Sequence, residues 1–474
     1  MFLQCPSTNY SCLHQFSSPF VDDTGSLQTY FTIIKALGNF SAIASPAKCA
    51  ARIGQAFSET PFAVPLDENN ILLKKIEDVA SPDKSRIFSD GVGTISWDVM
   101  EAIRYYLPHT KGSPTCFQIR LAGAKGMLSL DSRLSGSQIL IRPSMIKFPS
   151  EDMQNLEICD MASRPIPLVL NRQMIKILED MGVPDNWFFK LQNTELTRLR
   201  EITANASNTA RFLKAQAIGE PFRLHKLFRQ CDLSRIDYRK EAFLRSVVEA
   251  AVLRELRLLK QKARIPVKEG ITLFGIMDET GFLEENEVYV TFDTIKGRYP
   301  PPPRQGRLLV TRSPALYDGD IQFATNVIPP GDHPLTEHRN CIVFSQKGSR
   351  DLPSQLSGGD LDGDIYNIIW DTDTGPLLQV FEPADYPRVQ PIDIGRPVTV
   401  DDMANFFVDF MKTDHLGIIA TRHMILADQM ETGTCHPDCK KLAQLHSTAV
   451  DFSKTGIAVK MEELPKASKY RPDL

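Results

Sequence analysis

The chain lacks any apolar run approaching the ~18 residues that a membrane-spanning helix needs. Its opening, Met-Phe-Leu-Gln-Cys-Pro-Ser, lacks the basic start and apolar core of a secretory signal. The nine cysteines are scattered, without the spacing of a disulfide framework. Reduced thiols in a nuclear or cytoplasmic protein, away from membranes, are the expectation. Only Cys435 and Cys439 stand close, in Cys-His-Pro-Asp-Cys. His436, with His423 and His446, offers further zinc ligands, but no second cysteine pair accompanies them, and free thiols on a loop are the better reading. A large excess of positive charge is also missing. The 54 Lys and Arg against 58 Asp and Glu leave a net charge of −4, which argues against an indiscriminate nucleic-acid binder but not against a basic cleft. With 474 residues, 42% apolar and 24% charged, the composition is that of a globular protein of roughly two to four domains.

Asp360, Asp362 and Asp364 lie within the run Ser-Gly-Gly-Asp-Leu-Asp-Gly-Asp. Three carboxylates this close drive one another's pKa upward unless a cation joins them, and no Lys or Arg adjoins them in sequence. Gly358, Gly359 and Gly363 let the backbone fold tightly, so that side chains at i, i+2 and i+4 converge. An all-oxygen donor set suits a hard divalent ion, Mg²⁺ with Mn²⁺ as its substitute, ahead of zinc. A calcium loop fits less well. Ile365 stands where its sixth-position glycine is required, and Ile-Tyr-Asn-Ile-Ile-Trp reads as a buried strand. A solvated acidic turn leaves unexplained the core-like strands on either side. The reaction that uses such a cluster is nucleotidyl transfer, with two ions about 3.5–4 Å apart. Phosphate-facing cations are then expected elsewhere. The segment from Lys111 to Phe148 supplies Lys111, Arg120, Lys125, Arg133, Arg142 and Lys147 against the single acid Asp131. Lys125 sits in Gly-Ala-Lys-Gly, which lacks the second half of a Walker loop.

Texture along the chain suggests an α+β protein of five parts. Residues 1–84 read as a weakly patterned leader over 1–30 and a helix over 46–57, with Pro46 in its first turn. Residues 85–170 read as short strands (115–121, 127–130, 138–142 and 167–170), suited to a small barrel. Residues 171–264 are helical, and Leu244, Val248, Val252, Leu256 and Leu259 trace one apolar face. The basic excess there, ten Lys and Arg against four acids over 235–268, is read as a solvated face. Strands return over 265–385 at 272–276, 287–292, 307–311, 341–344 and 365–370, interrupted by the polyproline connector Tyr299-Pro-Pro-Pro-Pro-Arg304. Residues 386–474 are helical, with Phe406, Phe407, Phe410 and Met411 as an apolar stripe.

Ser-Gly-Gly-Asp-Leu-Asp-Gly-Asp resembles the catalytic signature of the eukaryotic cellular RNA-dependent RNA polymerases of RNA silencing. Blocks at 88–96, 118–126, 140–144, 275–281, 309–314, 343–348, 406–409 and 445–451 match the family in order, so the resemblance spans about 38–465. It implies two double-psi β-barrels facing one another across a cleft, with helical bridging and C-terminal segments. It implies that Asp360, Asp362 and Asp364 hold the metal. It implies that Arg120, Lys125 and Lys147 face nucleotide and phosphates, and that Arg312 and Lys347 contact template or triphosphate. The implied reaction is synthesis of complementary RNA from ribonucleoside triphosphates on single-stranded RNA, yielding double-stranded precursors of small silencing RNAs, with silencing-complex proteins as partners. Two departures stand out. Thr94 occupies a position where relatives usually carry lysine, and the chain is short for the family. The second departure opens an alternative, a catalytically inactive RNA-binding fragment.

Overall fold

β-Branched and aromatic segments assemble into two seven-stranded sheets, and helices fill the intervals between and after them. The computed structural model describes residues 2–3, 14–15, 19–108, 112–293, 300–375, 378–387 and 389–472. Residues 1, 4–13 and 16–18 of the leader read over 1–30, together with Lys111 and Tyr299, lie outside them. Two short ribbons, β1 (Phe2–Leu3) with β2 (His14–Gln15) and β3 (Phe20–Val21) with β4 (Leu27–Gln28), precede α1 (Tyr30–Leu37) and α2 (Pro46–Ala56). Helix α2 begins as its sequence dictates: Ser45 accepts from Lys48 N, and Pro46 occupies the first turn.

The first sheet contains β5 (Phe62–Pro65), β6 (Leu72–Lys75), β7 (Val92–Ile95), β8 (Cys116–Leu121), β9 (Ala124–Leu130), β10 (Gln138–Ile141) and β11 (Asn155–Met161). Its spatial order is β5-β11-β8-β9-β7-β10-β6, with α3 (Trp97–Tyr106) packed in its core. Strands β8 and β9 form a hairpin whose two-residue turn, Ala122 and Gly123, has φ of 47° and 77°. Positive φ at both positions matches the right-handed twist of the flanking strands. The register sets Arg120 directly opposite Lys125, on one face of the sheet.

The second sheet contains β12 (Ile166–Val169), β13 (Pro266–Met277), β14 (Glu287–Thr291), β15 (Gln305–Arg312), β16 (Ile321–Val327), β17 (Cys341–Phe344) and β18 (Ile365–Ile369). Its order is β12-β13-β17-β14-β16-β15-β18, and a further pairing of β13 with β18 closes six of these strands into a ring. Ring closure leaves those six strands without a free edge, and β12 alone lies outside, paired to β13. Phe88, Val92, Cys116 and Met127 of the first strand-rich section lie in the same apolar cluster as Ile276, Phe344, Leu361 and Tyr366 of the second. The two sheets therefore pack directly on one another.

Between them run α4 (Arg172–Asp180), α5 (Asp185–Ile202), α6 (Ala206–Ala215), α7 (Leu224–Leu233) and α8 (Ala242–Lys262). A short α9 (Leu352–Gln355) precedes the aspartate run, and α10 (Val400–Thr413), α11 (Leu416–Gln429) and α12 (Pro437–Thr455) complete the chain. Phe406, Phe410 and Phe452 cluster with centroids 5.0–6.2 Å apart and tie α10 to α12.

Several boundaries differ from those the sequence suggests. β12 was expected in the first barrel, but it pairs with β13, so the second sheet takes its first strand from before the helical bridge. β5 and β6, which fall in the leader-and-helix part read over 1–84, are edge strands of the first sheet. Leu256 is on the exposed side of α8, and Ala251 takes the buried position, because the helix turns gradually away from a strict four-residue spacing. Met411 is likewise exposed, while Phe410 alone of the stripe is fully buried. Cys435 and Cys439 are free thiols, but Cys439 is buried within α12 rather than on a loop.

Candidate active site

The aspartate run forms a tight loop between α9 and β18, and both sheets hold it. Leu361 N donates to Asp90 O at 2.9 Å, and Gln118 Nε2 donates to Asp362 O at 3.3 Å. From its own side, Tyr366 OH donates to Asp360 O at 2.7 Å. Inside the loop, Asp360 N donates to Asp364 Oδ2 at 3.0 Å and Asp362 N to Asp360 Oδ1 at 3.2 Å. These two bonds turn the carboxylates of Asp364 and Asp360 onto the loop's own main chain. Asp362 and Asp364 remain 18% and 20% exposed, so the loop opens to solvent rather than ending in the core.

Close approach depends on glycine at two places. A Cβ on Gly91, whose φ is +88°, would stand 2.5 Å from Asp362 Cβ, and one on Gly363 would overlap Gln118 Nε2. Around Gly91, Asp78 organises the first sheet's contribution. Its carboxylate accepts from Ser144 N and Oγ at 2.9 and 2.6 Å and from Ser89 Oγ at 2.9 Å. Ser144 Oγ in turn accepts from Gly91 N at 3.2 Å. A second clamp joins the sheets: buried Arg142 donates from Nη1 and Nη2 to Glu279 Oε1 and Oε2 at 2.9 and 2.8 Å. The blocks at 88–96, 140–144 and 275–281, far apart in sequence, meet in these two networks.

Charge at the loop is balanced from a distance. Lys125 Nζ lies 2.9 Å from Asp362 Oδ2. Arg312 Nε and Nη2 donate to Asp364 Oδ2 and Oδ1 at 2.5 and 3.1 Å. Burial works to raise Asp362, but Lys125, helped by Lys147 and Lys454, outweighs it and brings that carboxyl down to about 2. For Asp360 burial acts together with the charges of Asp362 and Asp364, and its carboxyl is pushed well above the usual range. Burial lowers Lys147, opposed by Asp362 and Asp360; its Nζ donates to Ser144 O at 2.5 Å. Arg120 lies near the site but turns to Ser58 Oγ, 3.4 Å away, and to Ile119 O at 2.8 Å.

Two expected contacts take other forms. Arg312 is bound to Asp364 as a bidentate ion pair rather than left free for template or triphosphate. Lys347 is exposed and paired with Glu284 at 2.6 Å, apart from the aspartates. Of the basic segment, Arg133 pairs with Asp131 and Arg142 with Glu279, which leaves Arg120, Lys125 and Lys147 toward the site. Thr94 is buried in β7, where its hydroxyl finds no hydrogen-bond partner among the described residues. Sequence reasoning missed Arg52 of α2, whose charge interacts with Asp362. Nothing in the local sequence singles it out, since α2 also carries Lys48 and what either cation faces is set by distant elements.

Among the described residues no three His, Cys, Asp or Glu side chains are arranged to share a metal ion. The donor chemistry nevertheless suits one. The oxygens of Asp362 and Asp364 are taken up by cationic side chains, and Asp360 is a half-buried carboxyl whose ionised form lacks enough countercharge. No described helix is long and apolar enough to cross a membrane.

Comparison with known proteins gives a consistent picture. A family model described as RNA dependent RNA polymerase matches residues 7–474. The chain is 32% identical over 452 residues to the probable RNA-dependent RNA polymerase 2 of Oryza sativa subsp. japonica, covering 92% of this chain and 39% of that protein. It is 33% identical over 446 residues to RNA-dependent RNA polymerase 1 of Arabidopsis thaliana, covering 92% and 38%. To RNA-dependent RNA polymerase 1 of Schizosaccharomyces pombe it is 31% identical over 470 residues, covering 92% and 37%. Among solved structures, the RNA dependent RNA polymerase QDE-1 from Thielavia terrestris superposes with a TM-score of 0.72 at 23% identity, covering 89% of this chain and 50% of that one. The chain thus spans about two fifths of the length of these curated relatives. The structural likeness shows the fold, an α+β arrangement of two double-psi β-barrels.

Proposed function

The chain belongs to the RNA-dependent RNA polymerase family, and from that we propose that it carries the catalytic centre of an RNA-templated RNA polymerase. The carrying observation is the loop of Asp360, Asp362 and Asp364, fixed at the junction of the two barrels and faced by Lys125 and Arg312. The substrates are single-stranded RNA and ribonucleoside triphosphates; the products are complementary RNA and pyrophosphate. The role is synthesis of double-stranded precursors in small-RNA silencing, with silencing-complex proteins as partners, in nucleus or cytoplasm.

Asp360, Asp362 and Asp364 would hold Mg²⁺, with Mn²⁺ as its substitute. When bound, the metal lowers the pKa of a 3′-hydroxyl and neutralises phosphate charge. The protein's own groups do the positioning. Arg312 fixes the rotamer of Asp364 through its two-point grip. Lys125 holds Asp362 ionised, the state in which it would ligate a cation, and stands where it would meet a phosphate. Gly91 and Gln118 set how far the loop stands from the first barrel.

Incorporation of labelled nucleotide on an RNA template, in Mg²⁺ or Mn²⁺, tests this reading. Asp364→Ala should abolish incorporation, and full activity in that variant rejects the mechanism. RNA binding without incorporation by the unaltered chain selects the alternative, a catalytically inactive RNA-binding fragment of such a polymerase.

A further inference from the structure

The entry to the aspartate loop is a strained piece of backbone. Ser357 and Gly358, between α9 and Asp360, both lie in the left-handed region, with φ of 54° and 63°. Glycine adopts that region freely, whereas a serine there persists only where its surroundings over-determine it. Three groups do so. Ser357 Oγ donates to Pro314 O at 2.5 Å, and Arg312 Nη1 donates to Ser357 O at 3.2 Å. The third is the ring of Tyr386, which lies against Gly358: a Cβ added to that glycine would stand 3.1 Å from Tyr386 Cγ. The same arginine grips Asp364, so a shift of Ser357 O re-aims the guanidinium on that carboxylate.

Tyr386 is itself carried by a strap, residues 381–386, that is neither helix nor strand. Side chains from elsewhere meet its main-chain oxygens. Gln322 Nε2 donates to Phe381 O at 2.9 Å, and Arg350 Nη2 donates to Ala384 O at 2.8 Å. Asp385 Oδ1 lies 2.6 Å from Arg86 Nη2, which ties the strap to the first strand-rich section. At its end Tyr386 OH donates to Asp320 Oδ1 at 2.5 Å. Asp320 is buried, and its other oxygen accepts from Leu316 N and Tyr317 N at 2.8 and 2.9 Å. All three partners donate, so the carboxylate is the form they suit. The turn after β15 thus anchors the phenol, and the phenol's ring braces the glycine that leads into the aspartates.

We propose that Tyr386 is a positioning residue for the metal-binding aspartates: pinned through its hydroxyl to Asp320, it braces Ser357 and Gly358 and so fixes where Arg312 holds Asp364. This rests on the polymerase reading, in which Asp360, Asp362 and Asp364 take a divalent ion. It extends the site to a side chain that touches neither metal nor substrate. Groups that stand behind metal ligands and orient them are commonly worth ~10–100-fold in metal affinity.

The purified chain and its Tyr386→Phe and Tyr386→Leu variants are compared for Mn²⁺ affinity, by electron paramagnetic resonance of the free ion, and for amide hydrogen exchange. Phenylalanine keeps the ring but frees it from Asp320, and leucine removes the ring. Tyr386→Leu is expected to lose about tenfold in Mn²⁺ affinity and to exchange faster at the amides of Asp360, Leu361 and Asp362, with the β15–β16 ladder protected as before. Tyr386→Phe should show a smaller loss in the same direction. In nucleotide incorporation, kcat should fall while KM for the triphosphate stays within about twofold. Unchanged Mn²⁺ affinity and loop exchange overturn the proposal. So does faster exchange spread evenly over the second sheet, which marks a packing role alone. If the leucine variant fails to melt cooperatively, the phenylalanine variant decides by the same readings. If the unaltered chain binds Mn²⁺ but incorporates nothing, the polymerase reading falls while the role of Tyr386 is still decided; if it binds no Mn²⁺, both fall.

Discussion

Gly91→Ala isolates the contact on which the aspartate loop's position depends. An alanine there meets two penalties. The first is conformational: at φ +88° a residue with a Cβ is strained by about 1–2 kcal/mol. The second is a collision. The new Cβ would lie 2.5, 2.8 and 2.9 Å from Asp362 Cβ, Cα and N. Carbon atoms rest at about 3.5–4.0 Å, so the loop must retreat by about 1 Å. The obstructing atoms are backbone and Cβ, which no rotamer change removes. Overpacking of this kind costs about 1–3 kcal/mol, and the total loss of stability should be about 2–5 kcal/mol. Activity should suffer more, since a 1 Å displacement of catalytic groups costs on the order of 100-fold. Nucleotide incorporation and thermal melting are measured together, with Gly136→Ala as the reference. Gly136 has φ +72° but nothing within 4 Å, so it carries the strain without the collision. If Gly91→Ala incorporates nucleotide as fast as Gly136→Ala, the two-sided grip on Asp362 is wrong.

Two further outcomes follow from buried charge. Arg142→Ala strands Glu279 across the interface between the barrels, and a loss of about 3–5 kcal/mol in chemical denaturation is expected; a loss below about 1 kcal/mol would mean the clamp contributes little. His338, His423 and His446 are each pushed down to about 4 by burial. The unfolded chain takes up protons near pH 6.5 while the folded chain still refuses them. The stability these neutral imidazoles represent is therefore complete above about 6.5 and is lost as pH falls toward about 4, at about 1.4 kcal/mol per pH unit for each. Melting temperature should drop steeply between about pH 6.5 and pH 5, and a flat profile there refutes the assignment.

Local chemistry was readable from the sequence, and long-range pairing was not. The strand at 341–344 and the helix starting at Pro46 matched closely, because β-branched runs and a Ser-Pro start act within a few residues. The aspartate run declared dense negative charge, and in the fold Asp360 feels the charge of both Asp362 and Asp364. Its neutralisers did not declare themselves. Lys125 comes from another sheet and Arg312 from 52 residues upstream, so a search of the adjoining sequence found none. β12 has the texture of the strands before it, yet its partners Ile271 and Thr272 lie about a hundred residues on. Arg52 went unremarked because what faces a helix depends on elements folded far away.

The closure of β13, β17, β14, β16, β15 and β18 upon themselves bears on how the centre moves. A hoop without ends offers no free margin along which one strand can slide past the next, because every ladder is locked by both neighbours. Asp364 immediately precedes β18, so it inherits that rigidity and travels with the hoop as one block. Helices α2, α10 and α12 stand outside that hoop, packed on one another, so a displacement of theirs need not be passed to Asp364.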